Sequence, residues 1–236
     1  MSLECKLTYT PHYLQLCCIH IYNSSIMDNI KTVSDIRNKT YDDDEIKRWN
    51  LQESYESNPL AKKPVNLRSK YAYQEIMSGK HTKKYLLPGE ICLFTYSSPK
   101  YGPELDYYDA TPMVLFFGIT RIEDGSIREI GFNLHYYPPF ARIRILDTIY
   151  NIFKDYYKKY FNKPGHSPNG HINYNLLKRM FRNQKIAFGL RMYIPVLRGE
   201  TWVIPTKLLP TAAYTEGHFS GTTLTNIKSF WRRFHN

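Results

Sequence analysis

The residues of this sequence that could perform chemistry are few. Asp106 and Asp109 are carboxylates three positions apart, a spacing that could hold a divalent cation if a third acidic side chain came close. Their neighbours are tyrosines and prolines, so an Asx-type turn that shapes the loop is the better interpretation. Asn133 and His135 lie late in a predicted strand and on one face of it, because strand side chains repeat every two residues. This polar pair could bind a phosphate, or it could fix the following turn. In the second case His135 is a structural histidine whose hydrogen bonds are satisfied within the fold.

Two further histidines and four cysteines give no site. His166 and His171 flank the loop HSPNGH, but no Asp or Glu lies within several residues, and a metal nuclease would need such ligands. The cysteines show no CxxC spacing, which predicts reduced thiols rather than a zinc site. They are Cys5, Cys17, Cys18 and Cys92. Phosphate-binding loops and hydrolase motifs are also missing, so the sequence predicts no catalytic residue, no metal and no cofactor.

Positive charge is the dominant feature of the composition. The formal net charge is +11, and it is unevenly distributed. Residues 1–60 hold six Lys or Arg against nine Asp or Glu, whereas the remaining 176 hold 26 against 12. A basic body with a slightly acidic N-terminal segment indicates an anionic partner, either nucleic acid or an acidic protein surface. No apolar run approaches the roughly 20 residues of a membrane-spanning helix, so no membrane partner is expected.

Three strand-like runs separated by turn residues form the centre of the chain. Residues 90–97 and 113–122 are rich in β-branched and aromatic side chains, and residues 127–136 partly alternate between apolar and polar. The sequence Glu-Asp-Gly-Ser between the last two runs suits a hairpin turn, because Gly125 tolerates positive φ. These runs predict the curled antiparallel sheet of a small SH3-like β-barrel over 88–139.

Two helices are predicted to pack on this sheet. Residues 140–161 carry an apolar stripe at three- and four-residue steps, which is typical of a helix docked on a sheet. The stripe consists of Ile143, Leu146, Tyr150, Phe153, Tyr157 and Tyr160. A second helix over 174–182 can be capped at its N-terminus by Asn173.

The rest of the chain completes an α+β fold with one domain. Two apolar runs joined by a turn at Gly199 predict a second β-hairpin within 186–208, and a last helix follows Thr222 or Thr223. The single α+β domain spans 65–236, with the second hairpin and the helices in 140–236. Residues 1–64 form an extended N-terminal arm that packs on the body or on a neighbouring subunit.

Basic side chains on this body are the candidate contacts for an anionic partner. Lys and Arg release counterions when they neutralise phosphates, which favours the basic segment at 80–84. The candidate cations are Lys80, Lys83, Lys84, Arg142, Arg144, Arg191, Arg198, Arg232 and Arg233. Tyrosine is unusually frequent, with 21 residues, and its rigid amphipathic ring suits protein interfaces or stacking on bases. The further candidates for partner binding are Tyr107, Tyr108, Asn133 and His135.

Short motifs around the predicted barrel resemble a family of tailed-bacteriophage virion proteins. PGEICLFTY, the loop LDYYDATPMVLFFG and the corner GFNLHYYPPFARIRILD are similar to patterns of DNA end protector and head-completion proteins. The resemblance covers roughly residues 88–146, and its matching positions are 105–109 and 133–136. Asp106 stands where the family pattern has a proline. The resemblance implies a virion component, without catalysis of its own, at the packaged DNA terminus or the head–tail junction.

Three hypotheses for the function follow. The first is a non-enzymatic virion protein, made in the host cytoplasm, that binds double-stranded DNA ends or the portal, connector or tail subunits, as an oligomer in a ring. The second is a metal-independent, barrel-type nuclease with His135 as the base and a nearby arginine as the stabiliser of charge. The third is a pure assembly protein whose positive face meets an acidic protein ring. The sequence does not separate the first from the third.

Overall fold

The computed structural model describes residues 50–79, 81–97, 108–160, 172–184 and 186–220. The strands are β1 (Ile91–Tyr96), β2 (Tyr108–Asp109), β3 (Met113–Arg121), β4 (Ile127–Asn133), β5 (Leu190–Tyr193), β6 (Arg198–Val203) and β7 (Phe219–Ser220). Five of them form an antiparallel sheet in the order β5-β4-β3-β1-β6, and β2 pairs separately with β7.

The helices of the described residues lie before, between and after these strands. They are α1 (Leu51–Glu56), α2 (Val65–Ser78), α3 (Pro139–Tyr160), α4 (Tyr174–Asn183) and α5 (Leu209–Ala212). Short 3-10 turns separate several elements, and one of them, Leu134–Tyr136, directly follows β4. Among the described residues, none of the helices combines the length and the apolar character that crossing a membrane requires.

The central strand β3 is buried on both of its faces. Leu115 and Phe117 point into the larger hydrophobic core, whereas Phe116 points into a smaller cluster on the opposite face. The pairing of β3 with β4 shifts register between Phe116 and Gly118, which adopts a φ of 140°. This bulge reverses the alternation, so Ile119 joins the smaller cluster. The run of apolar residues in β3 therefore serves two cores.

Helices α3 and α4 contribute to the larger core much as the sequence predicts. Ile143, Leu146, Tyr150 and Phe153 are buried, which confirms the part of the predicted stripe whose side chains the structure describes. At the start of α4 the Asn173 side chain accepts a hydrogen bond from the backbone N–H of Leu176 at 3.0 Å. The predicted N-cap is thus confirmed.

The sheet does not close into the predicted SH3-like barrel, and the two strands of the predicted second hairpin do not pair with each other. The sheet is open, and β5 and β6 lie at its opposite edges, where β5 pairs with β4 and β6 pairs with β1. Between β5 and β6 the chain passes through the 3-10 turn Pro195–Leu197, which packs against the smaller cluster and does not form a hairpin turn. The sheet is nevertheless curled, since Glu129 of β4 reaches Arg198 of β6 at 3.0 Å. The α+β class is confirmed.

The N-terminal side of the domain is more helical than predicted. The sequence predicts no helix at 65–78, where α2 lies, and it predicts an extended arm up to residue 64. Within that stretch α1 contributes Leu51 to the larger core, and Leu60 packs with Ala72 and Tyr214. Residues 1–49 of the predicted arm lie outside the described residues, as does the predicted last helix, so the division at residue 64 stays a prediction.

Substitution of Gly131 tests the close packing of β3 against β4. A Cβ atom at Gly131 would overlap the Cγ1 methyl of Val114 and would lie 3.0 Å from the carbonyl oxygen of Leu115. Both neighbours are buried in the sheet and have little room to move. We expect Gly131→Ala to lower the free energy of unfolding by about 1–3 kcal/mol, measured by chemical denaturation. In a Val114→Ala background the overlap is removed, so equal losses in the two backgrounds would contradict this interpretation.

Candidate functional site

The carboxylate of Asp109 is the centre of a buried polar network. Its Oδ1 accepts hydrogen bonds from the backbone N–H groups of Thr111 at 3.1 Å and His218 at 2.9 Å. Its Oδ2 accepts hydrogen bonds from Asn133 Nδ2 at 3.1 Å and His135 Nδ1 at 2.8 Å. Burial opposes ionisation, but His135 and the hydrogen bonds outweigh it and hold the pKa of Asp109 below its ordinary value. Asp109 is therefore an ionised carboxylate whose oxygens are fully used.

His135 is held between Asp109 and Thr215. Its backbone N–H donates to Asn133 Oδ1 at 2.9 Å, and its Nε2 lies 2.9 Å from the Thr215 hydroxyl oxygen. Burial lowers the pKa of His135, and this effect exceeds the opposing attraction of the Asp109 carboxylate. Nδ1 donates to the Asp109 carboxylate, which can only accept, and Nε2 lies against a Thr215 hydroxyl that also donates to the carbonyl oxygen of Ala212 at 2.7 Å.

The carboxylate–imidazole–hydroxyl order of this network is also found in hydrolases, but here it is not accessible. The His135 and Asp109 side chains are 0% and 1% exposed. A general base must come within hydrogen-bond reach of the proton it abstracts, directly or through one water. A substrate cannot reach this base while the domain is folded, which contradicts the nuclease hypothesis built on His135.

Arg142 lies beside this network and is also buried, with 1% exposure. Its Nε donates to the carbonyl oxygens of Leu134 at 3.1 Å and Tyr137 at 2.8 Å. Its Nη1 donates to the carbonyl oxygens of Ala213 at 2.6 Å and Thr215. Burial lowers the pKa of Arg142 to about 10, and the guanidinium remains charged at neutral pH. It joins the start of α3 to the turn after β4 and to the chain after α5, and it does not present its charge to a partner.

The remaining predicted cations differ in how much of their charge is available. Arg198 forms a bidentate ion pair with Glu129 at 3.0 and 3.1 Å and is 6% exposed. The Lys83 ammonium pairs with Glu90. Arg191 is half-buried and lies 4.1 Å from the centre of the Tyr136 ring. Each of these three cations contacts another side chain of the domain, which the sequence does not predict.

Among the described residues, two more of the predicted cations lie on the open surface, and neither is paired with a carboxylate. Lys84 is exposed, with its ammonium 5.6 Å from the centre of the Tyr85 ring, and Arg144 is exposed on α3. Tyr108 is half-buried in β2. The other predicted contacts, Lys80, Tyr107, Arg232 and Arg233, lie outside the described residues.

The described residues contain no group of His, Cys, Asp and Glu side chains that could hold a metal ion. Asp109 has no oxygen left for a cation, and its supposed partner Asp106 lies outside the described residues, as does the loop with His166 and His171. The Asx-turn interpretation is right for Asp109, whose side chain bonds the backbone two residues on. Cys92 is a buried free thiol whose pKa is raised by burial.

Two members of the network escape the sequence analysis. Thr215 lies 80 positions after His135, and His218 lies 109 positions after Asp109, so no local pattern relates them. The available signal is compositional. Polar residues that stand inside apolar runs, as Asn133 and His135 do, need partners when those runs are buried. That signal predicts a buried network without identifying its distant members.

Comparison with known proteins gives one match. The model of the family described as phage T4 terminal DNA protecting protein matches residues 26–186, well over half of the chain. The matched range includes β1 to β4, α3 and α4. No curated protein and no solved structure matches. The resemblance to DNA end protectors noted from residues 88–146 is thereby confirmed.

We expect acid to weaken the fold through His135. Since burial keeps its pKa below the unfolded value, the unfolded chain takes up a proton that the folded protein does not as the pH falls below about 6.5. The free energy of unfolding should fall by up to about 1.4 kcal/mol per pH unit just below that value. Denaturant titrations between about pH 7.5 and 5 measure this slope.

The control for this prediction is a histidine that lies on the surface. His135→Asn removes the titrating ring, so its lower stability should depend less on pH, and His81→Asn is the matched substitution at an exposed histidine. A His135→Asn variant with the pH dependence of the unchanged protein would show that the buried ring is not responsible.

Arg142 and Arg144 form a matched pair on one helix. Arg142→Gln leaves buried carbonyl groups of Leu134, Tyr137 and Ala213 without their donor, so we expect a loss of at least about 3 kcal/mol in the free energy of unfolding. Arg144→Gln changes an exposed side chain and should stay within about 0.5 kcal/mol. Comparable losses in the two variants, measured by denaturant unfolding, would refute a structural role for the Arg142 guanidinium.

Proposed function

The chain belongs to the phage T4 terminal DNA protecting protein family, and we propose on that basis that it protects the end of phage DNA by binding it, without cleaving it. The match over residues 26–186 is the observation that carries this proposal. The family description implies a structural role rather than a catalytic one.

The burial of the reactive side chains supports protection over hydrolysis. Asp109 and His135, the acid and the base of the buried network, are both enclosed by the fold. Their hydrogen bonds hold β2, the turn after β4 and the residues around His218 together. The polar residues of the virion-protein motif therefore stabilise the fold of the domain. In this proposal other residues contact the DNA.

The charge of the domain supports an anionic partner. The 26 Lys and Arg among residues 61–236 exceed the 12 Asp and Glu, and Glu129 and Glu90 are already paired with Arg198 and Lys83. DNA carries one phosphate charge per about 1.7 Å of duplex, so an unbalanced basic surface binds it through counterion release. Among the predicted cations that the structure describes, Lys84 and Arg144 are exposed for such contact, and Lys83 is exposed but paired with Glu90.

In this proposal the protein is made in the host cytoplasm and acts in the virion, where the packaged DNA end meets the head–tail junction. Contact with portal, connector or tail subunits, and assembly into a ring, belong to the same proposal. Exposed apolar side chains such as Val65 at 62% and Val196 at 69% suit protein contacts of this kind.

The test compares two DNA molecules that differ only in their ends. One is a linear duplex, and the other is the same duplex closed at both ends by short hairpin loops. We expect binding of the open duplex to be at least about tenfold tighter and to weaken steeply as salt is added. Bound protein should also slow digestion of the open duplex by an exonuclease.

The other outcomes are equally informative. Equal affinity for both molecules would reject end protection and would indicate a general DNA-binding virion protein. Absence of binding to either DNA at low salt would reject both DNA functions and would leave the assembly hypothesis, in which the positive surface meets an acidic protein.

A further inference from the structure

Helix α4 separates an apolar face from a basic face. Leu177 and Phe181 are both 0% exposed and lie in the larger core. Asn175, Lys178, Arg179 and Arg182 lie on the opposite side, because residues three and four positions apart share a helix face. Asn175, Arg179 and Arg182 are exposed and Lys178 is half-exposed. These four residues are called the α4 stripe below.

The α4 stripe lies in a part of the sequence that carries only positive charge. Residues 156–199 contain nine Lys or Arg and no Asp or Glu. The exposed side of α3 is different, because Asp147 and Asp155 are interspersed there with Arg144. The β3–β4 turn also carries acids, Glu123 and Asp124, which line one cavity with Asn175, so the positive charge of the stripe lies at Lys178, Arg179 and Arg182.

The guanidinium groups of this stripe are not used by the fold. In the described part of the chain, neither the Arg179 nor the Arg182 guanidinium group forms an ion pair or a hydrogen bond. Lys178 lies 5.7 Å from the centre of the Tyr174 ring, a contact that leaves its ammonium at the surface. By contrast, the guanidinium groups of Arg142 and Arg198 are held by carbonyls and a carboxylate inside the domain.

Like charges three and four positions apart destabilise an isolated helix. Arg182 also lies in the last turn of α4, where a cation interacts favourably with the helix dipole. That interaction accounts for one charge near the C-terminus, but not for three cations without a carboxylate among them. An anionic partner on the stripe would remove the mutual repulsion, and arginine forks match phosphate oxygens bidentately.

We propose that the α4 stripe binds the phosphate backbone of the DNA end. This inference rests on the proposed function and assigns its contact surface. From Lys178 to Arg182 the helix rises about 6 Å, and one strand of duplex presents about two phosphates over that distance. Asn175 continues the stripe toward the start of α4 with an amide that can donate to a further phosphate oxygen. Contacts to the DNA phosphate backbone do not depend on base sequence, which suits a protein that binds a DNA end.

The experiment measures how affinity for the linear duplex depends on salt. Arg179→Gln with Arg182→Gln removes two phosphate contacts, so the slope of log K against log salt should become less steep by about 1.8. Arg179→Lys with Arg182→Lys keeps both charges and should retain most of the original slope. Lys70→Gln with Lys207→Gln removes two exposed charges elsewhere and should change the slope much less. Thermal unfolding of each variant verifies that it is folded.

The possible failures are distinguishable. If the unchanged protein does not bind the duplex, the proposed function fails and this inference fails with it. If the unchanged protein binds, and the Arg179→Gln, Arg182→Gln variant binds with the same slope, only the α4 stripe is refuted. A slope that becomes less steep equally in the Lys variant and the Gln variant would also refute the proposal, because it would show that helix structure rather than charge is responsible.

Discussion

The burial of two opposite charges, on Asp109 and Arg142, is the constraint on which the rest of this domain depends. An unpaired ion in a protein interior is very unfavourable, so each charge requires several hydrogen bonds. Asp109 obtains them from four donors, and Arg142 obtains them from carbonyl groups just before α3 and just beyond α5. These bonds join β2, the corner after β4, the start of α3 and residues 213–218. Elements far apart in sequence are thereby fixed to one another.

This arrangement separates the residues that build the domain from those available to a partner. Asn133 and His135 belong to the motif by which the sequence resembles a virion-protein family, and both are inside. A recognisable polar motif in this chain is therefore a structural feature. The surface that meets DNA has to be sought among side chains that no motif identifies, where free charge and exposure are the relevant criteria.

Much of the fold could be predicted because it rests on local periodicity. The strands around residues 91–133, the apolar stripe of α3 and the Asn173 cap all follow from short-range patterns. The edges of the sheet could not, since the Gly199 turn gives no information about which distant strands β5 and β6 join. Arg142 shows the same limit of local sequence patterns for a single buried residue. It lies on the buried stripe of α3 with Leu146 and Phe153, yet its residue type suggests the surface.

Arg142 and Arg144 also show why charge counted along a sequence overstates the charge that a partner meets. Two positions on a helix differ by about 200° in direction, so one guanidinium lies among carbonyls and the other in solvent. The same division holds across the domain, where Arg198 is neutralised by Glu129 but Arg179 and Arg182 have no carboxylate among the described residues. The excess charge is therefore concentrated in fewer places than the sequence indicates. On α4 it is displayed by a helix whose opposite face is fixed in the core, which holds the cations in register for a repeating anionic partner.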